Sequence, residues 1–275
     1  MNFRPPRRLA IRAAISLALL AGATSPTWSS PAATVEAASA AKPTIVLVHG
    51  AFAESSSWED VIARLQERNY PVVAAANPLR GVHSDASSIA RLLDSIAGPV
   101  VLVGHSYAGS VITTAAAGKA NVKALVYVAA FAPEAGESAA SLLAKYPGST
   151  LGPALQPPVP LADGNNDLYV RQDDYRQALA ADVPSRTTTL LAATQRPVAD
   201  AALAEPSGTP AWKSIPSWFV YGTADKAIPP ALQPFMAQRA GSKHTVAVEG
   251  ASHAVMASHP DQVVKLIVEA AGAGS

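Results

Sequence analysis

The chain has 275 residues, of which 49% are hydrophobic and 15% charged, and its formal net charge is +1. That length fills one sizeable core. The near-neutral charge, with no basic cluster interleaved with aromatics beyond the N-terminus, excludes a nucleic-acid partner and strong attraction to an anionic surface. The absence of cysteine excludes disulfides, thiolate zinc sites and a cysteine nucleophile together.

The N-terminus reads as a signal peptide. Arg4, Arg7, Arg8 and Arg12 form a positive region, and residues 13–23 form a short apolar one. Ala21-Gly22-Ala23 and Ala38-Ser39-Ala40 both match small-residue cleavage sites. The apolar run falls well short of the roughly 20 residues that span a bilayer. The expectation is an exported protein, periplasmic or secreted, with no stable membrane anchor after cleavage. Arg7-Arg8 leaves open a twin-arginine route. Residues 1–40 are set aside as signal and processed lead-in.

Residues 44–48 form a continuous apolar, β-branched run, the pattern of a strand buried on both faces. It ends in His49-Gly50-Ala51-Phe52. Helical spacing follows in Trp58, Val61, Ile62 and Leu65. A short strand is expected at 72–76. A helix is expected at 85–96, capped by Asp85, with Ile89, Leu92, Leu93 and Ile96 on one face. The apolar run 99–103 then ends abruptly in Gly104-His105-Ser106-Tyr107-Ala108-Gly109, and a helix-compatible run starts at Val111. A strand that turns sharply into a helix through Gly-x-Ser-x-small is a nucleophile elbow, tight enough to require small flanking residues. Another buried strand follows at 122–130.

Strands alternating with helices at this spacing imply βαβ units: an α/β fold with a mostly parallel sheet and helices on both faces. From Pro133 to Trp212 the rhythm breaks, with prolines at 153, 157, 158 and 160. A structureless loop of that length is improbable inside a compact domain, so residues 134–212 are expected to form an inserted helical cap. The core then comprises 41–133 and 213–275. Residues 217–221 restore the strand pattern and lead to Gly222-Thr223-Ala224-Asp225. A helix opens at Pro229, and the last strand, 244–248, leads to Gly250-Ala251-Ser252-His253. A helix from Pro260 to about Ala270 closes the chain.

Ser106, Asp225 and His253 thus stand past the ends of three strands, in the order of a hydrolase triad. A serine hydroxyl attacks only when a base takes its proton. His253 fits that base, because it alone of the six histidines follows the last strand in a Gly/Ser loop. Asp225 would orient the imidazole and stabilise its cation. His49 is expected to organise its loop, and His105 to pack. An oxyanion site needs backbone N–H donors, one from Tyr107 and one from Ala51 or Phe52. Phe52, Tyr107, Phe131 and Trp212 are candidate pocket walls. The chemistry requires no metal and no organic cofactor, and the oligomeric state is not legible.

Val46-Leu47-Val48-His49-Gly50-Ala51-Phe52, the elbow, Tyr221-Gly222-Thr223-Ala224-Asp225 and the stretch from Gly250 to Pro260 resemble the α/β-hydrolase superfamily. More narrowly they are similar to its methylesterase and hydroxynitrile-lyase branch. The resemblance implies the α/β-hydrolase fold and departs from the family at Ala108, where Gly is usual. Lyases of that branch carry Thr and Lys at the positions of Gly50 and Ala254, so the resemblance implies hydrolysis of a small or medium carboxylic ester. Alternatives on the same triad are cofactor-free C–C hydrolysis and perhydrolysis or halogenation. A ligand-binding protein on the same scaffold is a further reading.

Overall fold

The computed structural model describes residues 42–273. The expected signal segment, 1–40, lies outside them. The core alternates strands and helices: β1 (Thr44–Val48), α1 (Glu59–Glu67), β2 (Val72–Ala75), α2 (Val82–Asp94), β3 (Val100–His105), α3 (Ala108–Ala115) and β4 (Val122–Val128). An insert follows with α4 (Ala139–Lys145), α5 (Leu151–Ala154), β5 (Val159–Pro160), β6 (Asn166–Leu168), α6 (Gln172–Leu179), α7 (Ser185–Thr194), β7 (Val198–Ala199) and α8 (Asp200–Ala204). The core resumes with β8 (Ser217–Gly222), α9 (Leu232–Arg239), β9 (His244–Val248), α10 (Val255–Ser258) and α11 (Pro260–Ala273).

The six core strands form one sheet in the order β2-β1-β3-β4-β8-β9, parallel throughout. Its inner strands, β1, β3, β4 and β8, are mostly apolar at successive residues because both faces are covered, whereas the edge strands β2 and β9 are partly exposed. Along β1, Val46 and Val48 join one apolar cluster while Ile45 and Leu47 join the other. In β3, Val100 and Leu102 alternate with Val101 and Val103 in the same way. Ile89 and Leu93 of α2, with Val111 and Ile112 of α3, cover the first face. Val61 and Leu65 of α1, with Val263, Val264 and Ile267 of α11, cover the second. Each such side chain, fully buried, contributes about 1.5–3 kcal/mol, so the sheet is a stiff platform for the loops at its carboxyl edge.

The segment between β4 and β8 carries helices and also a three-stranded antiparallel sheet, β5-β6-β7. Strands of two or three residues leave no period-2 signature. The helical stretch expected near 175–193 is two helices, α6 and α7, separated at Pro184. The α2 boundary also shifts: the helix begins at Val82, which puts Asp85 inside its first turn. Asp85 is therefore not the helix cap, and its carboxylate turns inward to other partners. Among the described residues, no helix is long and apolar enough to cross a membrane.

Candidate active site

The turn out of β3 is strained where function would need it. Ser106 has φ of 54°, in the left-handed region that non-glycine residues rarely occupy. The turn is fastened to the neighbouring strand end: the Ser106 N–H donates to the Val128 carbonyl (3.2 Å), and its own carbonyl accepts from Gly109 (3.0 Å) and Phe131 (3.2 Å). Close approach explains the small residues around it. A Cβ on Gly50 would sit 2.7 Å from both the His105 carbonyl oxygen and the Ser106 Cβ. At Gly109 a Cβ would collide with the Phe131 backbone.

Asp225 and His253 meet across the ends of β8 and β9. His253 Nδ1 donates to Asp225 Oδ2 at 2.8 Å, and both side chains are almost wholly buried. The other carboxylate oxygen accepts from the N–H groups of Ala227 (2.8 Å) and Ile228 (3.0 Å). Asp225 therefore both organises its own turn and orients the imidazole. With Nδ1 engaged, the second ring nitrogen of His253 has no hydrogen-bond partner among the described residues. His253 and Ser106 line the same cavity. No direct hydrogen bond joins them among the described residues; such contacts are often long before substrate arrives.

His105 and His49 support this arrangement from behind. His105 Nε2 donates to the His253 carbonyl at 3.2 Å, and the two rings pack with centroids 4.8 Å apart. Burial, together with His253 nearby, holds His105 well below the ordinary histidine range, so it stays neutral. His49 Nδ1 donates to the Gly50 carbonyl (3.0 Å), and its Nε2 accepts from the Asn77 N–H (2.9 Å). Burial lowers its pKa to about 4. A neutral, doubly bonded imidazole thus braces the loop after β1.

That loop presents two N–H groups, and they differ. The Phe52 N–H donates to the Arg196 carbonyl of the insert at 3.1 Å. The N–H groups of Ala51 and Tyr107 carry no hydrogen bond among the described residues. Of the three donors named from sequence, Ala51 and Tyr107 are the two available to an oxyanion.

The cavity encloses about 120 Å³. Phe52, Tyr107 and Phe131 wall it from the core, and Leu143, Leu151, Leu179 and Leu203 from the insert. Among the described residues, no Lys, Arg, Asp or Glu side chain reaches its lining. The Tyr107 hydroxyl is turned away, donating at 2.9 Å to Oδ2 of buried Asp85, whose carboxyl burial pushes up. Trp212 is not a wall. Its indole N–H reaches the Pro133 carbonyl (3.0 Å), and the cations of Lys213 and Arg239 lie over its ring. With its N–H bonded and two cations over its ring, this indole is satisfied outside the cavity. The insert leucines went unnoticed in the sequence, and Asp85 reads there only as a helix cap, because nothing local says where those side chains point.

The alpha/beta hydrolase nvfD of Aspergillus novofumigatus (strain IBT 16806) is 28% identical to this chain over 252 residues, 84% of this chain and 97% of that one. The carbendazim hydrolyzing esterase of Nocardioides sp. (strain SG-4G) is 35% identical over 113 residues, 36% of this chain and 47% of the relative. Among solved structures, polyneuridine aldehyde esterase superposes with a TM-score of 0.71 at 18% identity, covering 83% of this chain and 98% of that one. A pyrethroid hydrolase from Sphingobium faniae JZ-2 gives 0.67 at 21%, covering 84% and 98%. At those identities the likeness to solved structures is one of fold. The family model described as "Alpha/beta hydrolase family" matches residues 45–266, and the chain belongs to that family.

Proposed function

We propose that this chain is a serine hydrolase that cleaves neutral carboxylic esters through an acyl-enzyme. The observation that carries the reading is the buried Asp225–His253 hydrogen bond, made beside a left-handed serine that lines the same cavity. Esterases among the relatives support ester hydrolysis in general.

In this reading the free ring nitrogen of His253 takes the Ser106 proton as Oγ bonds to the ester carbonyl carbon. The carbonyl oxygen becomes an oxyanion facing the N–H groups of Ala51 and Tyr107; one such donor is typically worth about 10²–10³ in rate. The carbon–alkoxy bond then breaks, and the departing alcohol leaves with the proton from His253. Water attacks the acyl-enzyme with His253 again as base, and the acid is released as Ser106 regains its proton. Asp225 holds the imidazole in the tautomer this needs and stabilises its cation.

The cavity supports a size limit. An engineered apolar cavity of about 150 Å³ accepts benzene, so about 120 Å³ suits a short chain or a single small ring. Because no Lys, Arg, Asp or Glu among the described residues lines it, a charged substituent would be left unpaired. We also infer export, on the N-terminal pattern alone; N-terminal sequencing of the mature protein tests it.

The test is a series of p-nitrophenyl esters, acetate to laurate, with Ser106→Ala as control. The expected result is hydrolysis that peaks at short chains and falls at least about 10⁴-fold in the variant. Inactivity on every ester, or full activity in the variant, contradicts the reading.

A further inference from the structure

One helix of the insert is bonded to both catalytic loops. The Tyr175 hydroxyl of α6 donates to the Phe52 carbonyl at 2.8 Å, so it holds the loop that carries Ala51. One turn later, the Leu179 carbonyl accepts from the Ala254 N–H at 2.9 Å, and the Ser252 hydroxyl lies 3.2 Å from the same oxygen. Ser252 and Ala254 are the residues on either side of His253. Ser252 is buried, and its hydroxyl also donates to the carboxylate of Asp182, just beyond the end of α6. Asp182 Oδ2 stands 3.4 Å from His259 Nδ1, behind the same loop.

The last carbonyls of a helix lack intrahelical partners and must find others. Here α6 finds them in the histidine loop. Tyr175 and Leu179 are four residues apart, so they share one helix face. That face spans from the oxyanion loop to the histidine loop, and the Leu179 side chain lines the cavity between them. Tyr175 is nearly fully buried, which pushes its hydroxyl well above the ordinary tyrosine range and keeps it a donor.

The geometry points to α6 as a strut that sets the separation of the oxyanion donors from His253, with Tyr175, Ser252 and Asp182 as positioning residues. None of the three touches the reacting atoms. Their effect passes through Phe52 and through the backbone flanking His253. A substrate group filling the cavity presses on Leu179, and hence on the element that holds both loops. The insert thereby takes part in catalysis as well as in enclosing the substrate. This inference rests on the proposed esterase reading for its kinetic consequence, but its mechanical content stands apart from that reading.

The experiment compares Tyr175→Phe, Ser252→Ala, Asp182→Ala and Asp182→Asn with wild type on p-nitrophenyl butyrate. Rates are expressed per active site titrated with a fluorophosphonate, so that loss of folded protein does not count. Tyr175→Phe, Ser252→Ala and Asp182→Ala should each lower kcat about five-fold, the scale of one hydrogen bond, with KM changed less than two-fold. Asp182→Asn keeps the acceptor and should stay within two-fold of wild type. In parallel, hydrogen exchange at the Ala254 amide is followed in Tyr175→Phe, a change that touches only the oxyanion loop. A strut transmits that change, and exchange at Ala254 should quicken several-fold. Unaltered kcat per titrated site in all three deletions, with unaltered exchange at Ala254, overturns the strut. Absence of any ester hydrolysis in wild type overturns the esterase reading alone, because the exchange measurement still decides whether α6 couples the loops.

Discussion

The loops at the carboxyl edge of the sheet and the segment inserted between β4 and β8 are held by different means. The loops inherit their positions from the sheet. Ser106, Asp225 and His253 stand in the loops that follow β3, β8 and β9, strands held by parallel ladders and two apolar clusters. The insert has no comparable sheet. Its strands are two or three residues long, and it is tied to the core by scattered hydrogen bonds and ion pairs, among them Phe52 to Arg196, Tyr175 to Phe52, Ala199 to Leu79, Thr150 to Lys226, Arg80 to Asp167 and Arg239 to Glu137, and by apolar contact. In the proposed reading the sheet places the chemistry, while the insert, whose leucines wall the cavity, sets what enters and, through α6, trims the spacing of the sheet's loops.

Changes in the core loops should therefore cost the most. Asp225→Asn keeps the shape of the turn but offers His253 Nδ1 an amide where a carboxylate stood. Loss of the oriented tautomer is expected to lower kcat by about 10⁴ with KM little changed. A loss below tenfold in steady-state kinetics would break the assignment of Asp225 as the orienting residue.

The bracing histidine behind the loops gives a smaller effect, on stability. His49 has its pKa lowered from 6.5 to about 4 by burial. Between those values the unfolded chain binds a proton that the folded chain refuses, so stability is complete above about pH 6.5 and declines as pH falls towards 4. The size is about 3 kcal/mol. His105, also held low, acts in the same direction. Asp85, whose carboxyl is pushed up, acts with the opposite sign near its own range. Urea titrations of wild type and His49→Gln at pH 7.5 and 4.5 isolate the His49 share, which should appear as a shallower acid loss in the variant. Equal losses would contradict it.

The insert should move selectivity with less cost to rate. Leu143→Ala opens the cavity by several carbon atoms. The preferred p-nitrophenyl ester should lengthen, each added methylene raising kcat/KM about four-fold, the ~0.8 kcal/mol of one buried CH₂. An unchanged chain-length profile would mean that the cavity of about 120 Å³ is not the substrate's binding space.

What was legible in the sequence follows the same division. The runs at 44–48 and 244–248 coincide with β1 and β9, because a strand in a parallel ladder repeats apolar or β-branched residues within a short span. The loops past β3, β8 and β9 could be located because glycines and polar residues interrupt those runs abruptly. Inside the insert that logic fails. The pairing of Tyr175 with Phe52 spans 123 residues, and no local pattern announces it. Asp85 sits where a cap would suit a helix start; one of its oxygens does accept locally from the Arg80 N–H, but the other accepts from the Tyr107 hydroxyl, reachable only once α2 packs on α3. Trp212 has the composition of a pocket wall, but which way a loop indole faces depends on carbonyls and cations brought from elsewhere, here Pro133 and Arg239.

The most direct test of the central claim is the site of covalent capture. Wild-type protein, treated with a fluorophosphonate at neutral pH and digested, should carry one adduct, on Ser106. Labelling should vanish in Ser106→Ala and fall steeply in a His253→Ala variant that remains folded. An adduct on another residue, or labelling of Ser106 at the same rate without His253, would contradict a nucleophile activated by that histidine.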